Sequence, residues 1–161
     1  MDINKSRIII CGKGGSGKDY LKQKFVNKGY LPSVTYTTRQ PREGEIDGVD
    51  YHFIDIDKCN AMIQEKSFID HKEFNGWIYA TSKQEFINSN IFIMSPPSIK
   101  DLSSELLSSS FIIYLDIDEN IRRSRMDMRV GQDSTERRIK ADLDLFKDFI
   151  EYDIRIDTPN F

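Results

Sequence analysis

The chain has 161 residues, 39% of them apolar and 11% aromatic, which is enough for one hydrophobic core and one domain. No apolar run approaches the about 18 residues of a membrane span, and no charged-then-apolar leader opens the chain, so the expectation is a cytoplasmic protein with no membrane contact. The net charge of −3 is unevenly placed: residues 1–42 hold nine Lys or Arg against two acids, residues 43–161 hold 14 against 24, and no basic face interleaves with aromatics, which argues against nucleic acid and for small anionic ligands.

Ile8-Ile9-Ile10-Cys11 is an apolar, β-branched run of the kind that forms a buried strand, and Gly12-Lys13-Gly14-Gly15-Ser16-Gly17-Lys18-Asp19 follows it directly. The spacing is Gly, four residues, Gly-Lys, the P-loop pattern, except that Asp19 stands where Ser or Thr is usual. Glycines let successive N–H groups turn toward phosphate oxygens, the following helix adds the positive end of its dipole, and Lys18 reaches the β- and γ-phosphates. The pattern assigns Gly12, Lys13, Gly14, Gly15, Ser16, Gly17, Lys18 and Asp19 to ATP. Gly12, Gly14 and Gly17 also spell GxGxxG, but a dinucleotide-binding unit wants an acid about 20 residues on, where the chain reads Leu31-Pro32-Ser33-Val34-Thr35, and it has no use for the lysine. A Gly-rich turn that binds nothing is the remaining alternative. A hydroxyl at the position of Asp19 normally ligates Mg²⁺, and a carboxylate can do so too, which makes Asp19 the candidate metal ligand.

The next elements follow from periodicity and turn chemistry. Asp19 to Lys28 has helical spacing with Gly29 placed to end it, and Leu31 to Tyr36 reads as a short strand. Thr37 to Asp50 is rich in charge, Gly and Pro, and reads as a working loop. Tyr51 to Ile54 reads as a strand and about Asp57 to Lys66 as a helix with Met62 and Ile63 inward. Phe68 to Phe74 and Trp77 to Ala80 flank Asn75-Gly76, a hairpin signal. Ser82 and Glu85 have capping-box spacing for a short helix. Ile91 to Met94 is a buried strand ended by Pro96-Pro97; Ile99 to Leu107 reads as a helix, Phe111 to Leu115 as another buried strand, and a helix starts at Asp118. Met128 to Gln132 reads as a mobile turn. Asp133 and Glu136 have capping spacing for a long helix with Ile139, Leu143, Phe146 and Ile150 on one face, and Ile154 to Ile156 is a last strand. Cys11 and Cys59 show no metal or redox spacing and read as packing residues. Strands alternating with helices behind a P-loop predict a parallel α/β sheet.

Arg39 and Arg42 lie three apart in the charged loop, with Tyr51 close behind. Two guanidinium forks and a hydroxyl could hold a monophosphate, and a solvated charged loop would look the same, so the residues alone leave both open. The run Ser33-Val34-Thr35-Tyr36-Thr37-Thr38-Arg39-Gln40-Pro41-Arg42-Glu43-Gly44-Glu45-Ile46-Asp47-Gly48-Val49-Asp50-Tyr51-His52-Phe53 resembles the GMP-binding signature of guanylate kinases. Phe68-Ile69-Asp70-His71-Lys72-Glu73-Phe74-Asn75-Gly76-Trp77-Ile78-Tyr79-Ala80-Thr81 resembles the same family. The resemblance spans most of the chain and thins after Thr81.

The resemblance implies that Arg39, Arg42, Tyr51 and Tyr79 hold the GMP phosphate, that Thr35, Asp70 and Thr81 face the base, and that Glu45 supports the arginines. A carboxylate can accept both N1–H and N2–H of guanine, whereas adenine presents an acceptor at N1. Asp70 stands where the family usually has Glu, one methylene longer, so base selectivity is open to a shift or a bridging water. Arg125, Arg129 and Arg138 match arginines that close over the phosphates in the family; Arg122, Arg123 and Arg137 are expected to be solvated. Where the family has acids after the central strand, this chain reads Ile93-Met94-Ser95-Pro96-Pro97, and it ends at Phe161 without the family's closing helix, which points to modest stability as a monomer or to a homodimer.

The implied architecture is a P-loop NTPase-type parallel sheet flanked by helices, with a core of residues 1–34 and 82–161, a small mixed or antiparallel subdomain for the nucleoside monophosphate at about 35–81, and an arginine-bearing lid at about 125–138. The implied activity is Mg²⁺-dependent transfer of the γ-phosphoryl group of ATP to GMP or dGMP. A broader deoxynucleoside monophosphate kinase and an inactive binding module are the alternatives; the retained Gly12, Gly17 and Lys18 speak against the second.

Overall fold

The computed structural model describes residues 5–128 and 134–161. In chain order these form β1 (Arg7–Gly12), α1 (Lys18–Val26), β2 (Tyr36–Thr37), β3 (His52–Phe53), α2 (Ile56–Gln64), β4 (Phe68–Phe74), β5 (Trp77–Ser82), α3 (Lys83–Asn88), β6 (Ile91–Ile93), α4 (Pro96–Lys100), α5 (Ser104–Ser108), β7 (Ser110–Leu115), α6 (Glu119–Asp127), α7 (Thr135–Phe146) and β8 (Ile154–Ile156). They separate into two compact units: the described residues up to Tyr30 with those from Ile91 onward, and Leu31–Asn90. No helix among the described residues is long and apolar enough to cross a membrane.

The first unit is a parallel sheet in the order β6-β1-β7-β8. β1 sits inside it because its run is apolar on both faces, and Ile9, Ile10 and Cys11 are fully buried. Its register sets Ile9 between Phe92 and Ile112 and Gly12 beside Leu115, so the Gly-rich loop leaves the carboxyl end of an interior strand. Leu21 of α1 packs with Ile10, Ile91, Ile113, Leu115 and Ile117. Behind β7, the Tyr114 ring lies 5.7 Å from Phe146, stacked, and 5.3 Å from Phe149, edge-on, which fastens the end of α7 to the sheet. Such aromatic pairs contribute about 0.5–1.5 kcal/mol beyond their burial.

The second unit is a mixed sheet in the order β3-β2-β5-β4: β2 runs parallel to β3 and antiparallel to β5, and β5 antiparallel to β4. Asn75 and Gly76, with φ of 60° and 81°, make the two-residue turn that joins β4 to β5. Ser82 caps α3 by accepting the Glu85 N–H at 3.0 Å. The Glu85 carboxylate is engaged elsewhere, accepting the Val34 N–H at 3.0 Å and meeting Nε2 of His52 at 2.9 Å.

Five expectations change. The strand foreseen over Leu31 to Tyr36 is reduced to Tyr36–Thr37, because Pro32 has no N–H and side chains take the neighbouring amides: Asn90 Oδ1 accepts from Leu31 and Glu85 from Val34. Pro96-Pro97 does not merely end β6; it opens α4, where a missing N–H costs nothing, and the helix foreseen over Ile99 to Leu107 is two short ones, the second capped by Ser103. α7 is capped by Ser134, which accepts the Arg137 N–H at 3.2 Å. Its inward side carries Ile139, Asp142 and Phe146; Leu143 is 56% and Ile150 78% exposed, and Phe149 is buried in their place. Asp133 and most of the turn foreseen over Met128 to Gln132 lie outside the described residues. Cys11 and Cys59 are both buried, as packing residues should be.

Candidate functional site

The loop after β1 is drawn tight by the Ser16 N–H, which donates to the Lys13 carbonyl at 3.2 Å. Gly17, at φ 96°, is the N-cap of α1 and offers no side chain to the first turn, so the helix keeps the positive end of its dipole at the loop. Lys18 arches back, its Nζ donating to the carbonyls of Gly12 at 2.7 Å and Lys13 at 3.1 Å. Lys13 turns away to Asp116, 3.3 Å from its Nζ. Asp116, just past β7, also accepts from the Tyr114 hydroxyl at 3.0 Å and from Nε of Arg155 at 2.9 Å. Burial works to raise its carboxyl, but Lys13, Tyr114 and Arg155 outweigh it and hold it below the usual 3.8. Burial and the same carboxylate push the Tyr114 hydroxyl above its ordinary range.

Two concavities open on this loop. A small one of about 150 Å³ is lined by Gly14, Gly15, Gly17, Lys18, Asp19 and Arg138 among others. A larger one of about 810 Å³ is lined by Gly15, Gly17, Tyr20, Lys24, Arg125 and Phe161 among others. Nη1 of Arg125 donates to the Gly15 carbonyl at 3.1 Å. Of the three arginines assigned to a lid, Arg125 and Arg138 thus border these cavities, and Arg129 lies outside the described residues. Asp19, second residue of α1, has a largely exposed carboxylate 3.7 Å from Lys22. No group of three or more His, Cys, Asp or Glu among the described residues could form a closed metal cage. Mg²⁺ in nucleotide sites keeps several waters and takes only one or two carboxylates beside the phosphates, so a single acid on the cavity wall fits that mode. At the end of β6 the hydroxyls of Ser95 and Ser98 bond each other at 3.0 Å and add no charge.

In the second unit the charged loop is ordered by its own side chains. The N–H of Ile46 donates to Asp50 at 2.8 Å, and that of Phe53 to Asp47 at 2.8 Å. Arg39 is only 5% exposed. Its Nη2 meets Oε1 of Glu45 at 2.9 Å, its Nη1 donates to the Gln40 carbonyl at 2.7 Å, and its guanidinium lies 5.2 Å over the Tyr51 ring and 5.7 Å over Phe53. Tyr51 stands edge-on to Tyr79 at 6.1 Å. Burial opposes the Arg39 charge, but Glu45 and Tyr79 more than compensate. Burial would raise the Glu45 carboxyl; Arg39, the N–H of Arg42 and the Arg42 charge hold it below the usual 4.5. Arg42 itself is exposed. Asp70 and Thr81 are paired across β4 and β5, next to a register shift between Phe68 and Asp70, and Thr81 is buried. Thr35 is half-buried, its carbonyl accepting the His52 N–H at 2.9 Å. Arg39, Glu45, Tyr51 and Tyr79 are therefore one cluster, and Asp70 with Thr81 another.

The sequence reading missed three residues that touch the Gly-rich loop. Arg122, expected to be solvated, is 2% exposed and donates to the Gly14 carbonyl at 3.3 Å. Asp142 accepts the Gly14 N–H at 2.8 Å, and Asp116 holds Lys13. Arg123 is surface-bound as foreseen, ion-paired with Glu119 and Glu136. The signal for Asp142 was available: it is the acid that takes the inward turn between Ile139 and Phe146.

A family model described as guanylate kinase matches residues 4–161. Among curated proteins, the guanylate kinase of Wolinella succinogenes is 36% identical over 125 residues, 70% of this chain and 58% of that protein. That of Psychrobacter arcticus is 46% identical over 81 residues, 49% of this chain and 39% of that protein. The matched stretches thus span less than two thirds of those relatives' length. Among solved structures, guanylate kinase from Anaplasma phagocytophilum superposes with a TM-score of 0.71 at 18% identity, covering 96% of this chain and 78% of the other, a likeness of fold.

Proposed function

The chain belongs to the guanylate kinase family, and from that premise we propose that it transfers the γ-phosphoryl group of ATP to GMP or dGMP, giving ADP and GDP or dGDP. The observation that carries the proposal is a buried, Glu45-paired Arg39 beside Tyr51 and Tyr79, in a chain that also keeps the whole Gly-rich loop with Lys18. A solvated charged loop would leave Arg39 in water, whereas here it is 5% exposed and held by Glu45. In this reading the loop amides and Lys18 hold the donor phosphates. Arg39, Arg42, Tyr51 and Tyr79 hold the acceptor phosphate, and Asp70 with Thr81 and Thr35 reads the guanine edge. The unit Leu31–Asn90 is then the acceptor-binding part.

An acceptor phosphate is already anionic near neutral pH, so no general base is needed. Catalysis rests on alignment and on neutralising charge as the phosphoryl group moves. Lys18 leaves the Gly12 and Lys13 carbonyls for the β- and γ-oxygens, and Arg125 and Arg138, with Arg129, add positive charge. Mg²⁺, held through Asp19 and the phosphates, would supply further charge neutralisation. The test is ADP release with Mg·ATP and a panel of GMP, dGMP, AMP, UMP, dTMP and CMP, with Lys18→Ala as control. Release that needs GMP or dGMP and needs Lys18 is the expected result; GMP binding with no turnover of any monophosphate would overturn the enzyme reading.

A further inference from the structure

Gly14 is gripped at both of its polar groups. Its N–H donates to Oδ2 of Asp142 on α7 at 2.8 Å, and its carbonyl accepts from Nη1 of Arg122 on α6 at 3.3 Å. The two side chains approach each other, Nη1 to Oδ2, at 3.8 Å, closing a ring of polar contacts around one residue. Arg122 is fixed further by its Nε, which donates to the Ile117 carbonyl at 3.0 Å. The fit leaves no slack: a Cβ on Gly14 would stand 3.3 Å from Asp142 Oδ2 and 3.2 Å from Met126 Sδ, and one on Gly15 would stand 2.7 Å from the Arg122 carbonyl oxygen.

An ion pair between a buried arginine and a half-buried aspartate is a poor way to gain stability, since well-packed apolar residues of the same volume often do as well or better. A carboxylate is also an awkward neighbour for a loop that is to bind phosphates, and it takes one of the loop's own N–H groups. Both features make sense if the pair fixes the course of the loop. We infer that Arg122 and Asp142 are positioning residues for the donor site: they clamp Gly14, commit its amide to the protein and so fix the course of the loop that faces the phosphates. The same clamp ties α6, which carries Arg125, and α7, which carries Arg138, to one point of the cradle. The Arg122 charge offsets the Asp142 charge, so the pair orders the loop without adding net repulsion. This rests on the donor site described under Proposed function.

Two readouts separate a clamp from ordinary packing. In the ligand-free protein, Asp142→Ala should speed amide hydrogen exchange at Gly14 at least about tenfold while the Ile9 and Ile10 amides of β1 keep their rates. Asp142→Asn, which retains an acceptor oxygen, should restore protection. By calorimetry, Asp142→Ala should weaken ATP binding roughly tenfold with GMP binding unchanged, as expected for loss of a charge-assisted hydrogen bond that presets a site. The double variant Arg122→Met/Asp142→Ala, which leaves no unpaired buried charge, should fold and show the same ATP-selective loss. Unchanged Gly14 exchange, exchange that rises equally throughout, or ATP and GMP affinities that fall together would each overturn the inference. If the wild-type chain binds no ATP, the functional reading fails, and the Gly14 exchange result still decides whether the clamp exists.

Discussion

Oε1 of Glu45 lies 2.9 Å from Nη2 of Arg39, while the other oxygen of the same carboxylate accepts the Arg42 N–H at 2.7 Å. One acid thus fixes the guanidinium of the first loop arginine and the backbone of the second. Glu45→Ala leaves a buried guanidinium with the Gln40 carbonyl but without its carboxylate partner, at a cost of about 2 kcal/mol given the partial exposure of Glu45. It should raise the KM for GMP about tenfold or more and leave the KM for ATP within about twofold. Glu45→Gln, which keeps one oxygen acceptor, should fall between. Steady-state kinetics with each substrate varied in turn decides it; an effect confined to ATP would remove Arg39 and Glu45 from the acceptor site.

Asp116 makes a pH-dependent contribution. Its folded carboxyl is held below the usual 3.8 by Lys13, Tyr114 and Arg155. A depressed carboxyl stabilises the fold while the unfolded chain's group is also ionised, so the contribution is present above about pH 4 and fades as pH falls through the folded value. Asp116→Asn should cost about 1 kcal/mol at pH 7, a modest figure because the pairs are partly solvated, and the gap to wild type should narrow at pH 3. Urea midpoints at the two pH values measure it. A gap that is the same at both would assign the loss to shape, not charge.

Cys11 and Cys59 are buried, and burial pushes the Cys11 thiol up to about 12, against the opposing pull of Lys18. A thiol reagent at pH 8 should therefore modify neither on the time scale of an exposed cysteine, and both should react together once urea unfolds the chain. Stoichiometry followed against denaturant checks this. Early reaction of Cys11 alone would mean that β1 opens by itself.

What could be read from the sequence was local or periodic. The all-apolar run of β1 forced a strand buried on both faces, the Asn75-Gly76 pair forced a tight hairpin, and Ser82 announced α3, because in each case the deciding chemistry lies within a few residues. Leu31 to Tyr36 failed for a non-local reason: the partners of its amides are the side chains of Asn90 and Glu85, more than fifty residues away. Arg122 failed in the same way. On a helix with Arg123 and Arg125 beside it, nothing local marks the one guanidinium that is buried; the acceptors that make its burial tolerable are Ile117, Gly14 and Asp142. Arg39 stood out by its spacing from Arg42, with a solvated loop left equally open, and Glu45 was reached only through the family likeness, since their pairing depends on how the loop closes.

Gly15 and Gly44 offer a matched test of how closely the cradle is packed. Both have positive φ, 75° and 84°, so alanine meets a similar backbone penalty of about 1–2 kcal/mol at either position. Their surroundings differ: a Cβ on Gly44 meets nothing within 4 Å, whereas one on Gly15 would lie 2.7 Å from the Arg122 carbonyl oxygen, a backbone atom that cannot swing aside. Gly15→Ala should therefore lose at least about 2 kcal/mol more than Gly44→Ala, because α6 must shift to admit the methyl group. Arg122 moves with α6, so Gly15→Ala should also weaken ATP binding, and Gly44→Ala should not. Denaturant midpoints with nucleotide titrations give both quantities. Equal losses at the two positions would mean that the contact between the loop and α6 is looser than 2.7 Å implies, and the grip on Gly14 would lose its footing with it.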